Sequence, residues 1–163
     1  MPFTPLHMGP GLLMKALLQG SFSVMVFGWA QILIDIEPLV AILRHDAVLH
    51  GWSHTWIGAT VIALVAALTG KPAAVLGLRL FNLSSHLPLS WPVAFVSAFI
   101  GTWSHVLLDS VMHADMLPWR PLTDANPALG LISTGMLHLF CLVSGVLGML
   151  LYPLVQRLTM RRN

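Results

Sequence analysis

Four stretches of this chain carry no aspartate, glutamate, lysine or arginine: 16–34, 47–70, 80–108 and 130–152. Several reach the ~20 residues that an α-helix needs to cross the hydrocarbon of a bilayer. In that hydrocarbon a segment must satisfy its own backbone polar groups, so such runs fold as helices. Of the 163 residues, 56% are hydrophobic and 9% charged, against about 25% charged in soluble domains. The chain therefore reads as all-α. It is expected to form a polytopic transmembrane helix bundle of four to five membrane helices, one membrane-embedded domain over 1–163. The basic residues are scattered and the net charge is only +2, so no nucleic-acid partner is expected. The single cysteine, Cys141, excludes an internal disulfide and a four-cysteine zinc site, and reads as a small packed apolar residue. The start, Met-Pro-Phe-Thr-Pro, lacks a basic segment, so no cleaved signal peptide is expected.

Breakers divide the chain. Gly9-Pro10-Gly11 precedes a short helix over 12–19, which is interrupted by Lys15 and closed by Gly20. A second helix over 21–35 is expected to end at Asp35-Ile36-Glu37-Pro38, because Pro38 disfavours helix at Glu37. These two form a short N-terminal helical hairpin. Residues 39–49 read as a surface connection. Ser53 is a plausible N-cap for a helix that runs to Gly70, where Lys71-Pro72 is expected to stop it, leaving 73–81 as a separate apolar piece. A turn over 82–92 leads to a helix from about 92 to 113, a polar loop over 115–127 and a last helix over 129–152.

Eight histidines outnumber the six acids, and most fall near the ends of apolar runs. In His105-x3-Asp109-x3-His113 the spacing of four places three ionisable groups on one helix face, a stripe about 12 Å long. Such groups are expensive in an apolar helix and need a common partner; one or two divalent metals are the simplest. Imidazole and carboxylate suit zinc, manganese, iron and nickel.

Topology gathers more of them. With the hairpin entered from outside, Lys15, Lys71, Arg79, Arg157, Arg161 and Arg162 lie inside, and Arg44 and Arg120 lie outside, six against two. His7, Asp35, Glu37, His50, His54, Asp109 and His113 then share the outer level, with His105 about two turns below His113. A four-span path with residues 1–15 inside gives the same charge split but leaves His7 on the far side. His50 and His54 repeat the spacing of four, while Asp35 and Glu37 reach one site together only where their helix opens. With His7, eight candidate ligands result, which fit a two-metal centre with a bridging carboxylate. Two metals clamp a phosphoester or amide for hydrolysis, and ligands left over serve as general base or second shell.

The start Met-Pro-Phe-Thr-Pro-Leu-His7, Asp35-x-Glu37, His50-x3-His54-Thr55 and Gly101-x3-His105-x3-Asp109-x3-His113 followed by Trp119-x-Pro121 resemble the YdjM-like bacterial inner-membrane family, over roughly 1–122. That family is described as membrane-bound metal-dependent hydrolases. The chain is more distantly similar to the helical zinc-dependent phospholipase C and nuclease group. The resemblance implies His7, Asp35, His54, His105 and Asp109 as metal ligands, with Glu37, His50 and His113 next in line. The assignment adopted is His7, Asp35, His54, His105, Asp109 and His113 to the metal, and Glu37 and His50 to catalysis. Zinc is the first expectation, in one to three ions with two favoured. The expected substrate is a lipid or lipid-linked phosphoester, cleaved at the periplasmic face of the bacterial inner membrane. The alternative is a non-enzymatic metal-binding or ion-transport membrane protein; a third reading is a structural partner stapled by its metal.

Other residues read as ordinary. His45 and His86 are loop histidines and His138 an interhelical one. The six tryptophans suit interfacial belts, and Gly58, Gly101, Gly145 and Gly148 close helix packing. Arg120 is a loop cation that could also greet a lipid phosphate.

Overall fold

The computed structural model describes residues 5–160, and among them every regular element is helical. There are six α-helices: α1 (Met8–Leu18), α2 (Val24–Ile34), α3 (Ile36–Arg44), α4 (Trp56–Leu80), α5 (Trp91–Met112) and α6 (Thr134–Met160). Four segments are long and apolar enough to cross a membrane: Val24–Arg44, Trp56–Leu80, Trp91–Met112 and Thr134–Leu158. At 11 residues, α1 reaches only about 16 Å and cannot span. It turns back through Gln19–Ser21 into α2, so the expected N-terminal hairpin is present.

Two packing units build the bundle. In the first, α2, α4 and α5 pack on one another through Val26, Ala30, Ala66, Ala67, Ala74, Ala94 and Ala98. Small residues let helix backbones approach closely, which supplies the dispersion contact that hydrophobic exclusion cannot supply in lipid. In the second, α1 runs parallel to α6. A Cβ on Gly9 would strike the Cys141 carbonyl, and one on Gly148 would strike the Leu12 backbone. Gly101 likewise faces Ala30 and Phe27, and Gly58 faces Trp52, so these glycines do serve close packing. Cys141 is buried. Large side chains such as Leu64, Leu68, Leu147 and Leu150 stand exposed on the outside, where a bilayer suits them.

Several boundaries differ from expectation, each for a local reason. Pro38 lies inside α3, in its first turn, where the missing N–H would have had no intrahelical partner. The chain over 39–44, expected as part of a surface connection, is thus helix, and the break falls at Asp35. Pro72 does not end α4. Gly70 and Ala74 on either side of it sit against Val26 and Trp29, and that packing carries the helix through the proline. Pro153 is likewise inside α6, which reaches Met160 rather than 152. The N-cap of α4 is Thr55, whose Oγ1 accepts from the Gly58 N–H at 2.9 Å, and not Ser53. Ser23 and Ser90 cap α2 and α5 in the same way.

The tryptophans do more than line an interface. Trp29 and Trp103 donate to Thr69 and Thr60 across helices, and Lys71 sits 4.0 Å over the Trp91 ring. This arrangement brings four pieces of backbone to one end of the bundle: the start of α1, the α2–α3 break, the turn before α4 and the last two turns of α5.

Candidate metal centre

Two ligand sets meet there. Asp35, His54, His105 and Asp109, all buried, present ligand atoms within 4.8 Å of one another. His50, Asp109 and His113 do the same, with His113 half-buried. Asp109 belongs to both. Its Oδ2 lies 3.1 Å from His105 Nε2, 3.7 Å from His54 Nε2 and 3.9 Å from His50 Nε2, and its Oδ1 lies 3.5 Å from His7 Nε2. Asp35 Oδ1 adds 3.2 Å to His105 Nε2 and 3.8 Å to His54 Nε2. The His50 and His113 rings stack at 4.3 Å, and the His7 ring meets His105 edge-on at 5.0 Å.

Each element explains its ligand. The spacing of four on α5 stacks His105 under Asp109, and His113 follows where the helix gives way to extended backbone. Asp35 stands at the α2–α3 break. His54 closes a 3-10 turn over Trp52–His54 that is folded back on Glu37.

Three histidines are aimed by partners on their other ring nitrogen. His105 Nδ1 meets Gln31 Oε1 at 2.5 Å, and Gln31 in turn donates to the Gly101 carbonyl at 3.0 Å. His54 Nδ1 meets Ser53 Oγ at 2.8 Å. His50 Nδ1 meets the Asp115 carboxylate at 3.0 Å. Partners on Nδ1 fix the ring so that Nε2 points inward, as in metal sites where a second shell orients each imidazole. Burial alone would raise the Asp115 carboxyl, but hydrogen bonds from the His50 ring and from the Leu49 and His50 N–H groups hold it down at about 2.

The residues fit a metal. His54 Nε2, His105 Nε2, Asp109 Oδ1 and both nitrogens of His7 are buried without a hydrogen-bond partner. His105 Nε2 is close to two carboxylates, yet neither approach is aligned as a hydrogen bond. Buried polar atoms left in this state are costly, and a cation held by Asp35, His54, His105 and Asp109 would satisfy the two Nε2 atoms at once. Two carboxylates and two imidazoles at a buried point suit a divalent ion of the zinc type. A ligating histidine must be neutral. Burial, outweighing the nearby carboxylates, pushes His7 down to about 4 and His54 down to about 3, and lowers His113.

One pH dependence follows. His7 and His54 are neutral in the fold, while in the unfolded chain they titrate near the ordinary value of about 6.5. Below that value the unfolded chain binds more protons than the native one, so the stability these rings contribute is present above pH ~6.5 and falls with falling pH. Chelator-treated protein is expected to lose on the order of 1 kcal/mol per ring per pH unit between pH 6.5 and 5. Thermal unfolding at the two pH values checks this; a melting temperature that holds steady contradicts neutral buried imidazoles.

The structure brings His7, Asp35, His50, His54, His105, Asp109 and His113 to one point. Glu37 is not among them. Its carboxylate accepts from the Trp52 N–H at 3.1 Å and the Ser53 N–H at 2.6 Å, so it holds the turn that presents His54. His45 and His86 are exposed loop residues, and His138 is half-buried and outside both sets. Gln31, Ser53 and Asp115 were not read as site residues. A signal existed for Gln31, a lone amide one turn before Asp35 in a charge-free helix.

Compared with protein-family models, with curated proteins and with solved structures, the chain matches none. Its fold and site define it by themselves. It is an α-helical bundle with four helices fit to cross a membrane, and it carries a buried His/Asp cluster that could hold a metal ion.

Proposed function

We propose that this protein is a membrane-bound metal-dependent hydrolase that cleaves a phosphoester of a lipid or lipid-linked substrate. The observation that carries the reading is Asp109, which belongs at once to a four-ligand set and to a three-ligand set. Four protein ligands close a site, whereas three leave a position for water or substrate. When bound, two divalent ions acidify a water and stabilise charge on the phosphoryl oxygens.

The side chains supply the rest. Asp109 offers one carboxylate to both sets. Asp115 holds His50 with Nε2 turned inward, and the His113 ring stacked on His50 keeps that face closed. His7, both of whose ring nitrogens lack a partner, is placed to orient a substrate oxygen or the attacking water. Asp115 and Gln31 fix ring tautomers and so act as positioning residues.

The position of the cluster favours an enzyme over an ion path. Transport sites lie near the midplane of the bilayer. Here His54 precedes the first residue of α4, and His105 and Asp109 occupy the last two turns of α5; only Asp35 falls midway along its segment, Val24–Arg44, where α2 breaks to α3. A site at a membrane surface meets lipid headgroups, and the charge asymmetry of the loops supports a site on the outer face of a bacterial inner membrane. The reaction class agrees with that implied by the resemblance to the YdjM-like family. The test is elemental analysis of protein purified in detergent without chelators, with release of inorganic phosphate from phosphatidic acid vesicles and of glycerol phosphate or glycerol from phosphatidylglycerol vesicles. About two equivalents of zinc or manganese and chelator-sensitive release are expected. Protein that retains no metal, or that retains it and cleaves neither lipid, overturns the reading.

A further inference from the structure

A groove of about 630 Å³ runs along α2. Its lining takes one face of that helix from Val24 to Asp35, about 16 Å of length, and is closed by the start of α1 and the second half of α4. Its lining includes the small residues Gly28, Gly70, Ala73 and Ala74. The polar residues in its wall include His7, Gln31 and Asp35, which lie at the end where the metal ligands meet. Met25 and Ile32 on its rim are 37% and 45% exposed, on helices that cross the bilayer.

On the other side of the cluster, His50 forms part of a separate cavity of about 510 Å³, whose wall includes Arg120 from the loop beyond α5. The cluster therefore stands between an apolar slot at membrane depth and a second cavity at the end of the bundle, where His50 and Arg120 supply polar groups among apolar neighbours. An amphipathic molecule with one end in each would put its junction at the ligands. Within the spans the solvent is hydrocarbon, so a slot with an apolar lining is filled by a chain and not by water.

We propose that the α2–α4 groove seats one hydrocarbon chain of the lipid substrate, which enters sideways from the bilayer; the inference rests on the hydrolase reading for what happens at the headgroup. Ala73 is the residue to change, because it is exposed, small and in the groove wall, so that Ala73→Phe fills the slot without entering the core. Gly28→Leu is a second block, since an added Cβ meets only the flexible end of Met8.

The full chain is reconstituted in phosphatidylethanolamine and phosphatidylglycerol vesicles that contain a trace of phosphatidylglycerol with a diazirine near the end of one acyl chain. After illumination, labelled peptides are mapped by mass spectrometry, and metal content is measured on the same samples. Labelling is expected to concentrate at Met25, Ile32 and Ala73 over the outward-facing Leu64 and Leu68. Either block is expected to lower groove labelling roughly tenfold, as loss of a few buried methylenes implies, with metal content and outward labelling unchanged. Even labelling of all bilayer-facing positions, indifferent to both blocks, overturns the proposal. Groove labelling in protein that carries no metal supports the groove while the hydrolase reading fails. Metal-dependent hydrolysis with even labelling overturns the groove alone.

Discussion

Asp109→Asn is expected to abolish metal binding at both ligand sets, whereas single changes elsewhere remove one. The carboxylate of Asp109 lies 3.1–3.9 Å from the Nε2 atoms of His105, His54 and His50 through Oδ2 and 3.5 Å from His7 through Oδ1. An amide keeps the shape but carries no charge, and one of its two terminal atoms becomes a donor facing imidazole nitrogens. Asp35→Asn is expected to empty only the four-ligand set and His113→Ala only the three-ligand set. Loss of a supporting second-shell partner alone costs about 10–100-fold in affinity, so loss of a shared ligand costs at least that at each set. Metal per chain, measured in the three variants after identical purification, gives the pattern. Full metal in Asp109→Asn would remove the shared-ligand arrangement.

Gly9→Leu is expected to undock α1. A Cβ at Gly9 would overlap the Cys141 carbonyl oxygen and approach the Gly145 nitrogen to 3.3 Å, and all of these are backbone atoms. No rotamer relieves such a clash, so α1 and α6 must separate along the seam that holds α1 in the bundle. Overpacking of this kind costs about 3 kcal/mol or more. Denaturant unfolding of the protein in detergent micelles measures it. Gly20→Leu is the control, because nothing lies within 4 Å of a Cβ there and stability should hold. Since His7 precedes α1 directly, Gly9→Leu is also expected to move that imidazole away from Asp109.

The difference between what could be read from the sequence and what could not has a physical basis. The stripe on α5 was legible because a helix repeats every 3.6 residues whatever packs around it. The expected helix over 92–113 is Trp91–Met112. Charge-free length made the last three spans legible for the same reason, since the bilayer sets it, but not Val24–Arg44, which holds Asp35, Glu37 and Arg44. The prolines were not. Pro38, Pro72 and Pro153 all lie inside helices, where a first-turn position or small-residue packing outweighs the lost hydrogen bond. Nor was the role of Glu37, whose partners are two backbone N–H groups 15 and 16 residues away. Asp115 and Gln31 act through rings 65 and 74 positions distant, and no local period carries that information.

The ligands at the cluster are spread over the chain at positions 7, 35, 50–54 and 105–113. Synthesis proceeds from the N-terminus, so Asp35 reaches the bilayer long before His105 and Asp109 exist to meet it. During that interval the Val24–Arg44 segment carries a carboxylate whose neighbours on α5 have yet to be made, with only the histidines before α4 to join it. The centre can take up a cation only after the α5 segment has been inserted and has closed against α2 and α4. On the proposed reading metal capture is therefore a late event in biogenesis, and a nascent chain halted before residue 109 has the earlier segments without a finished cluster.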